Sequence, residues 1–310
     1  MTKLTLHIGI HRTGTTGLQR NLAANRERLA SLGYAYPGDQ SNHQDIAWAL
    51  FRGEIDGQDV LERLKPHRGV GHIILSGEDF CIHTDLAWVE ALRRDYDLQA
   101  VVYLRRQDHW VMSWYNQHLK WPFSRRHSVM TPKEFLDCLE EFYWLDFDDT
   151  VERWQKAVGT DRLKVRVIDK GQVRDAVADF LSIVGLRPQD LTFDESQQND
   201  SLPTETLEFV RRIGMIDLRP GKRMNVINFL RELGRSKGLK AKTLYTAAER
   251  QGILDRFEKG NRNLARRLFG RDELFLEGPP DDKDLYVEGN LARQVSFDDI
   301  MMSALQALTK

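Results

Sequence analysis

The sequence predicts an α/β fold: a mainly parallel sheet covered by helices on both faces, with a helical layer at the C-terminal end. Two patterns carry that expectation. Four strand-like runs are each followed by a segment of helical period through the first two thirds of the chain, the order that builds parallel sheets. After about Leu202 the strand-like runs nearly vanish and helical segments take over.

The first run, residues 4–10, passes into residues 17–32, where Leu18, Leu22, Leu29 and Leu32 recur at roughly helical spacing. His72–Ser76 precedes a helical stretch from Asp85, and residues 98–104 precede a helix through residues 110–119. Leu163–Ile168 leads into a helix over residues 173–184. Residues 205–213, 226–233 and 246–269 read as helices with polar joints. The expected organisation is a single domain over residues 1–310, with an α/β core in 1–200 and a mainly helical extension in 201–310.

Composition excludes several classes of function. Forty-five Lys and Arg against 46 Asp and Glu give a net charge of −1, so no global positive field is available to hold nucleic acid. At 41% apolar residues with seven Trp, the chain has ample material for a core. Its longest apolar runs fall far short of the ~18 to 20 residues of a spanning helix. The opening MTKLTLHIGI runs directly into a strand pattern without a signal-peptide apolar region, and the cytoplasm is the expected compartment. Cys81 and Cys138 are too few and too far apart for a disulfide framework or a zinc site of usual spacing, and no metal is assigned.

Two charge blocks stand out. Residues 136–152 hold seven acidic and no basic residues, whereas residues 211–240 hold nine basic and two acidic ones. Solvated helix faces account for both, with attraction of an anionic ligand as the alternative for the basic block.

Chemistry enters at the end of the first strand. Gly9-Ile10-His11-Arg12-Thr13-Gly14-Thr15-Thr16 follows the phosphate-loop pattern G-x-x-x-x-G-K-[ST], with Thr15 where the lysine would stand. Such a string arises by chance about 0.004 times in a chain of this length and composition. A loop of this kind binds an oxyanion through converging backbone N–H groups and the positive end of the following helix. Without the lysine that nucleoside-triphosphate enzymes place on the β- and γ-phosphates, and with Arg12 nearby, the expected anion geometry differs from theirs.

The string HIGIHRTGTTGLQRNL resembles the 5′-phosphosulfate-binding loop of sulfotransferases that use 3′-phosphoadenosine 5′-phosphosulfate (PAPS), bacterial members acting on carbohydrates above all. The resemblance implies a P-loop, nucleotide-kinase-like fold and a cofactor-binding loop of His11, Arg12, Thr13, Gly14, Thr15, Thr16 and Gly17. Arg12 stands where that family normally has lysine; it keeps the positive charge but cannot release a proton at any usable pH. A second family motif, an arginine at a strand's end and a serine eight residues on, implies that Arg105 and Ser113 contact the 3′-phosphate, with Arg106 as the alternative ligand or as half of a surface ion pair. A third, Ser76-Gly77-Glu78-Asp79, implies that Glu78 takes the acceptor's proton, with Asp79 as runner-up. The bland alternative for Glu78 is an acid set at a helix N-terminus for its dipole. Asn199 and Ser201 match a weaker segment and read as helix caps.

The activity so implied is sulfuryl transfer from PAPS to a hydroxyl acceptor, a carbohydrate or glycolipid, releasing 3′-phosphoadenosine 5′-phosphate, with Arg12 and Glu78 as the catalytic pair and no metal. Two rivals predict different behaviour. A phosphoryl transferase of the same fold requires magnesium and ATP, and a catalytically weak nucleotide- or glycan-binding protein is favoured by Arg12 alone. Trp110, Trp114, Tyr115 and Trp121 suit either core packing or stacking on a sugar ring. His7 reads as a core histidine, while His118 is an alternative acceptor contact.

Overall fold

The computed structural model describes residues 1–121, 123–193, 202–214, 218–236, 238–239 and 242–285; Asn199 and Ser201 lie outside them. Strands β1 (Lys3–His7), β2 (Tyr34–Ala35), β3 (His72–Ser76), β4 (Asp97–Arg105) and β5 (Leu163–Ile168) alternate with helices. The helices are α1 (Thr16–Ala24), α2 (Arg26–Ser31), α3 (Gln44–Phe51), α4 (Gly57–Leu64), α5 (Ala87–Asp95), α6 (Gln107–Lys120), α7 (Pro132–Leu136), α8 (Phe147–Val158), α9 (Ala176–Val184), α10 (Thr204–Ile213), α11 (Pro220–Ser236) and α12 (Ala247–Phe269). The strands form one sheet in the order β2-β3-β1-β4-β5, and every pairing is parallel, so the expected α/β class holds. Among the described residues no helix is long and apolar enough to cross a membrane.

Two expected elements end early, and a specific set of hydrogen bonds accounts for each. β1 stops at His7 because the chain leaves β3 there and stays bonded only to β4, with Ile8 N donating to Val101 O and Tyr103 N to Gly9 O. The helix expected over 17–32 breaks at Asn25. Its amide donates to Asn21 O and Thr192 O, both at 2.8 Å, and accepts from Thr192 N at 2.9 Å. A side chain that bonds backbone in this way competes with the helix ladder, while Leu29 keeps the apolar face continuous across the break.

The chain groups into two compact units. The first comprises Met1–Arg106, Tyr143–Gln198 and Phe257–Glu277 and holds the whole sheet; the second comprises Gln107–Phe142, Asn199–Arg256 and Gly278–Lys310.

In the first unit the two faces of the sheet differ. Because successive side chains alternate, Leu4, Leu6, Ile73, Leu75, Ala100, Val102 and Leu104 share one face, nearly all fully buried on the side of α5 and α8. The opposite face carries a polar ladder across three strands. Gln99 Nε2 donates to Thr5 Oγ1 at 2.8 Å, Thr5 Oγ1 meets His72 Nε2 at 2.7 Å, and His7 Nδ1 meets Ser76 Oγ at 2.7 Å. Around it Leu18, Leu22, Phe180 and Leu181 of α1 and α9 close the core. Burial pulls His7 down to about 3, so it sits there as a neutral core histidine, as the sequence suggests.

The second unit is helical. Trp110, Tyr115, Phe135, Phe142, Leu230 and Tyr245 are buried in it, so Trp110 and Tyr115 serve packing. Arg223, from the basic block, is also buried and donates to the carbonyls of Leu119 and Lys120, the negative C-terminal end of the α6 dipole. Much of the block charge is paired: Arg211 and Arg212 with Glu208, Glu140 with Arg256, and in the first unit Asp148 with Arg267.

Candidate functional site

From β1 the chain runs to one side for β2 and β3 and crosses to the other for β4 and β5, so strand order reverses at the C-terminal end of β1. Open parallel sheets bind ligands at this point. Here residues 8–15 form the loop that joins β1 to α1.

Glycine is required twice in that loop, for different reasons. At Gly9 the backbone has φ 102° and an added Cβ would lie 2.5 Å from the main-chain oxygen of Glu78, so the loop lies directly against the turn after β3. At Gly14 φ is 82°, yet a Cβ would meet nothing within 4 Å. Conformation demands glycine there, and the space in front of it is open. Arg12 also has a left-handed φ of 66°, a strained conformation for a residue with a side chain.

Inward-facing and outward-facing residues alternate along the loop. His11, Thr13 and Thr15 are buried, whereas Gly14 is exposed and Arg12 and Thr16 are half-buried. Thr13 Oγ1 donates to Ile10 O at 2.7 Å. Thr15 stands at the N-cap of α1 but makes no side-chain cap; its hydroxyl donates instead to Glu78 Oε1 at 2.8 Å. The first intrahelical bond runs from Gln19 N to Thr15 O, and the helix does not itself satisfy the N–H groups of Thr16, Gly17 and Leu18. The Thr15 hydroxyl, read from the sequence as a ligand donor, is thus engaged with protein.

Behind the loop, the turn Glu78–Ile82 supplies two carboxylates with separate tasks. Asp79 is 5% exposed, and its Oδ1 meets His11 Nε2 at 2.9 Å. Cys81 Sγ lies 3.9 Å from His11 Nδ1. Burial works against an imidazolium at His11, but the Cys81 sulfur and the Asp79 carboxylate outweigh it and hold the ring well above its ordinary value. Burial in turn pushes the Cys81 thiol up. Glu78 is half-buried and, besides accepting from Thr15, attracts Arg12, partly offsetting the desolvation that lowers that guanidinium.

The end of β4 braces the other side. Arg105 Nη1 donates to the carbonyl of Arg12 at 2.7 Å, which ties this guanidinium to the strained residue of the loop. Its neighbour Arg106 is 6% exposed, with Nη1 3.6 Å from Glu277 Oε2. The structure therefore brings Arg12, Thr15, Glu78 and Arg105 together in the first unit. Ser113 and His118 lie on α6 in the second, His118 buried there.

Sequence reasoning missed the His11–Asp79–Cys81 cluster and the seating of Gly9 on Glu78. The partners are about seventy residues apart, and only the adjacency of β1 and β3 brings them together. His83, two residues beyond Cys81, is engaged elsewhere, its Nε2 meeting Ala47 O at 3.0 Å. Elsewhere in the unit, a groove of about 720 Å³ lined by Phe51, Asp56, His83, Asp85 and Trp88 contains none of the predicted site residues.

No family model matches the chain. It is 31% identical over 179 residues to an uncharacterized protein of Archaeoglobus fulgidus, covering 57% of this chain and 47% of that protein; the chain thus spans about half the length of this relative. Among solved structures, that of a sulfotransferase from Alicyclobacillus acidocaldarius aligns with 64% of this chain and 86% of its own, at a TM-score of 0.43 and 16% identity.

Proposed function

We propose that the protein is a PAPS-dependent sulfotransferase that moves a sulfuryl group to a hydroxyl acceptor of the carbohydrate class. The observation that carries this is the loop itself. A T-G-T-T sequence sits at the reversal of strand order, with open space at Gly14, an uncapped helix start and two arginines on its rim. That arrangement suits an oxyanion, and the absence of the phosphate-loop lysine favours a phosphosulfate over a triphosphate. The carbohydrate class rests on the resemblance of the loop alone.

The main-chain N–H groups at the start of α1 and the Arg12 guanidinium would hold the 5′-phosphosulfate and stabilise charge on the departing phosphate. Arg105 would reach the 3′-phosphate, the group that separates this donor from ATP. Ser113 is assigned to the same phosphate by its resemblance to the family motif, as the serine eight residues after Arg105. Glu78, with one oxygen held by Thr15, would present the other to the acceptor and take its proton. Asp79 is less suited to that task, being buried and committed to His11. As the acceptor oxygen bonds to sulfur, the bond from sulfur to the 5′-phosphate oxygen breaks, leaving a sulfate ester and 3′-phosphoadenosine 5′-phosphate. Positioning and charge do most of this work, as in phosphoryl transfer.

The test is release of 3′-phosphoadenosine 5′-phosphate from PAPS against a panel of sugar, steroid and phenol hydroxyls in a chelating buffer. Acceptor-dependent release without added metal, with a sugar preferred, is the expected result. Magnesium-dependent consumption of ATP in its place would overturn the assignment.

A further inference from the structure

A second cluster of chemically competent side chains lies in the helical unit, among residues 126–141. His127 and Cys138 are 9% and 8% exposed, and Glu141 stands three residues beyond the cysteine at the end of a short helical turn. One donor atom from each of the three lies within 4.8 Å of the others, and His127 Nε2 is 3.2 Å from Glu141 Oε2. A cation already sits against two of them: Arg126 Nη1 is 2.6 Å from Glu141 Oε1, and Nη2 is 3.1 Å from Cys138 Sγ. Phe135 and Phe142 flank the His127 ring at 5.9 and 5.7 Å and give the cluster a dry wall.

We infer that His127 Nε2, Cys138 Sγ and the Glu141 carboxylate form a zinc site that the Arg126 guanidinium guards. Imidazole, thiolate and carboxylate together are a borderline-soft donor set that suits Zn²⁺ better than magnesium or calcium. Tetrahedral zinc sets its ligand atoms about 3.4 to 3.8 Å apart, so no pair in the cluster must close by more than about 1.4 Å. The Glu141 side chain, 41% exposed, is free to supply that movement. Arg126 is 58% exposed and can swing into water as the ion enters. Zinc then bonds to the Cys138 sulfur as the thiol proton leaves to solvent, and the His127 Nε2 lone pair and the Glu141 carboxylate complete the protein's share of the ligands. Three protein ligands leave one coordination position for water.

Zinc titration of the chelator-treated full chain, followed by calorimetry and by cobalt absorption, tests the site. One equivalent is expected to bind, with a thiolate-to-cobalt band that disappears in Cys138→Ser, and with affinity about 100-fold lower in Cys138→Ser and His127→Gln. Arg126→Gln removes only an exposed competitor and should tighten binding roughly fivefold. That variant keeps the test decisive if either ligand variant fails to fold. No stoichiometric binding by the wild type, binding indifferent to Cys138→Ser, or weaker binding by Arg126→Gln would each overturn the inference.

Discussion

The loop after β1 turns its side chains into the protein and leaves its main chain open, whereas the turn after β3 lays its main chain against the loop and presents carboxylates. In the loop His11, Thr13 and Thr15 all bond inward, and what remains for a ligand is the backbone of Gly14 and the start of α1, with Arg12 beside them. In the turn Glu78 and Asp79 are adjacent, yet one is half-buried beside the loop and the other is buried beneath it. The proposed anion site and the proposed base thereby come from neighbouring strand ends, with Gly9 seated on the Glu78 carbonyl and Thr15 bonded to the Glu78 carboxylate.

That division of labour can be broken from either side. Glu78→Gln keeps the size of the side chain and the bond from Thr15 but removes the proposed base. Turnover should fall by about 10² to 10⁴ with nucleotide affinity nearly unchanged, measured as kcat beside calorimetric binding. Gly9→Ala strikes the seating of the loop, since its Cβ would collide with the Glu78 carbonyl at a φ of 102°. A loss of about 3 kcal/mol in denaturant unfolding is expected.

Asp79→Asn tests the buried half of the turn and should cost about 1 to 3 kcal/mol by weakening the hold on His11. Its pH dependence has a definite sign. His11 is held above its ordinary 6.5, so its contribution is fully present below pH 6.5 and is lost as pH rises through the higher folded value. The stability gap between wild type and Asp79→Asn should therefore be widest at or below pH 6.5 and narrow above it. Arg12→Lys is the mildest change, preserving charge at the loop rim. Turnover within about threefold of wild type is expected; activity appearing only in the lysine variant would instead mark the natural chain as a binding protein.

The comparison also marks what a sequence can disclose. The G-x-x-x-x-G-T-T string, its place between strand and helix, and the bounds of β3 and β5 are local, because strand period and turn chemistry are written in neighbouring residues. The break at Asn25 is not, since its partner Thr192 lies 167 residues away. The reason Gly9 must be glycine is equally hidden until β1 and β3 are known to be neighbours. Arg105 was legible as a residue at a strand's end, but its bond to the Arg12 carbonyl was not, and that bond makes it a brace of the loop beside its proposed phosphate contact.

The brace and the proposed phosphate contact are separated by calorimetric binding of 3′-phosphoadenosine 5′-phosphate beside ADP and ATP, with and without magnesium, on wild type and Arg105→Ala. Micromolar binding of the bisphosphate, about 8 kcal/mol, independent of magnesium and stronger than that of ADP, is predicted, and the preference over ADP should collapse in the variant. An equal loss of both nucleotides in Arg105→Ala would reduce Arg105 to a brace. Magnesium-dependent preference for ATP in the wild type would contradict the sulfotransferase assignment.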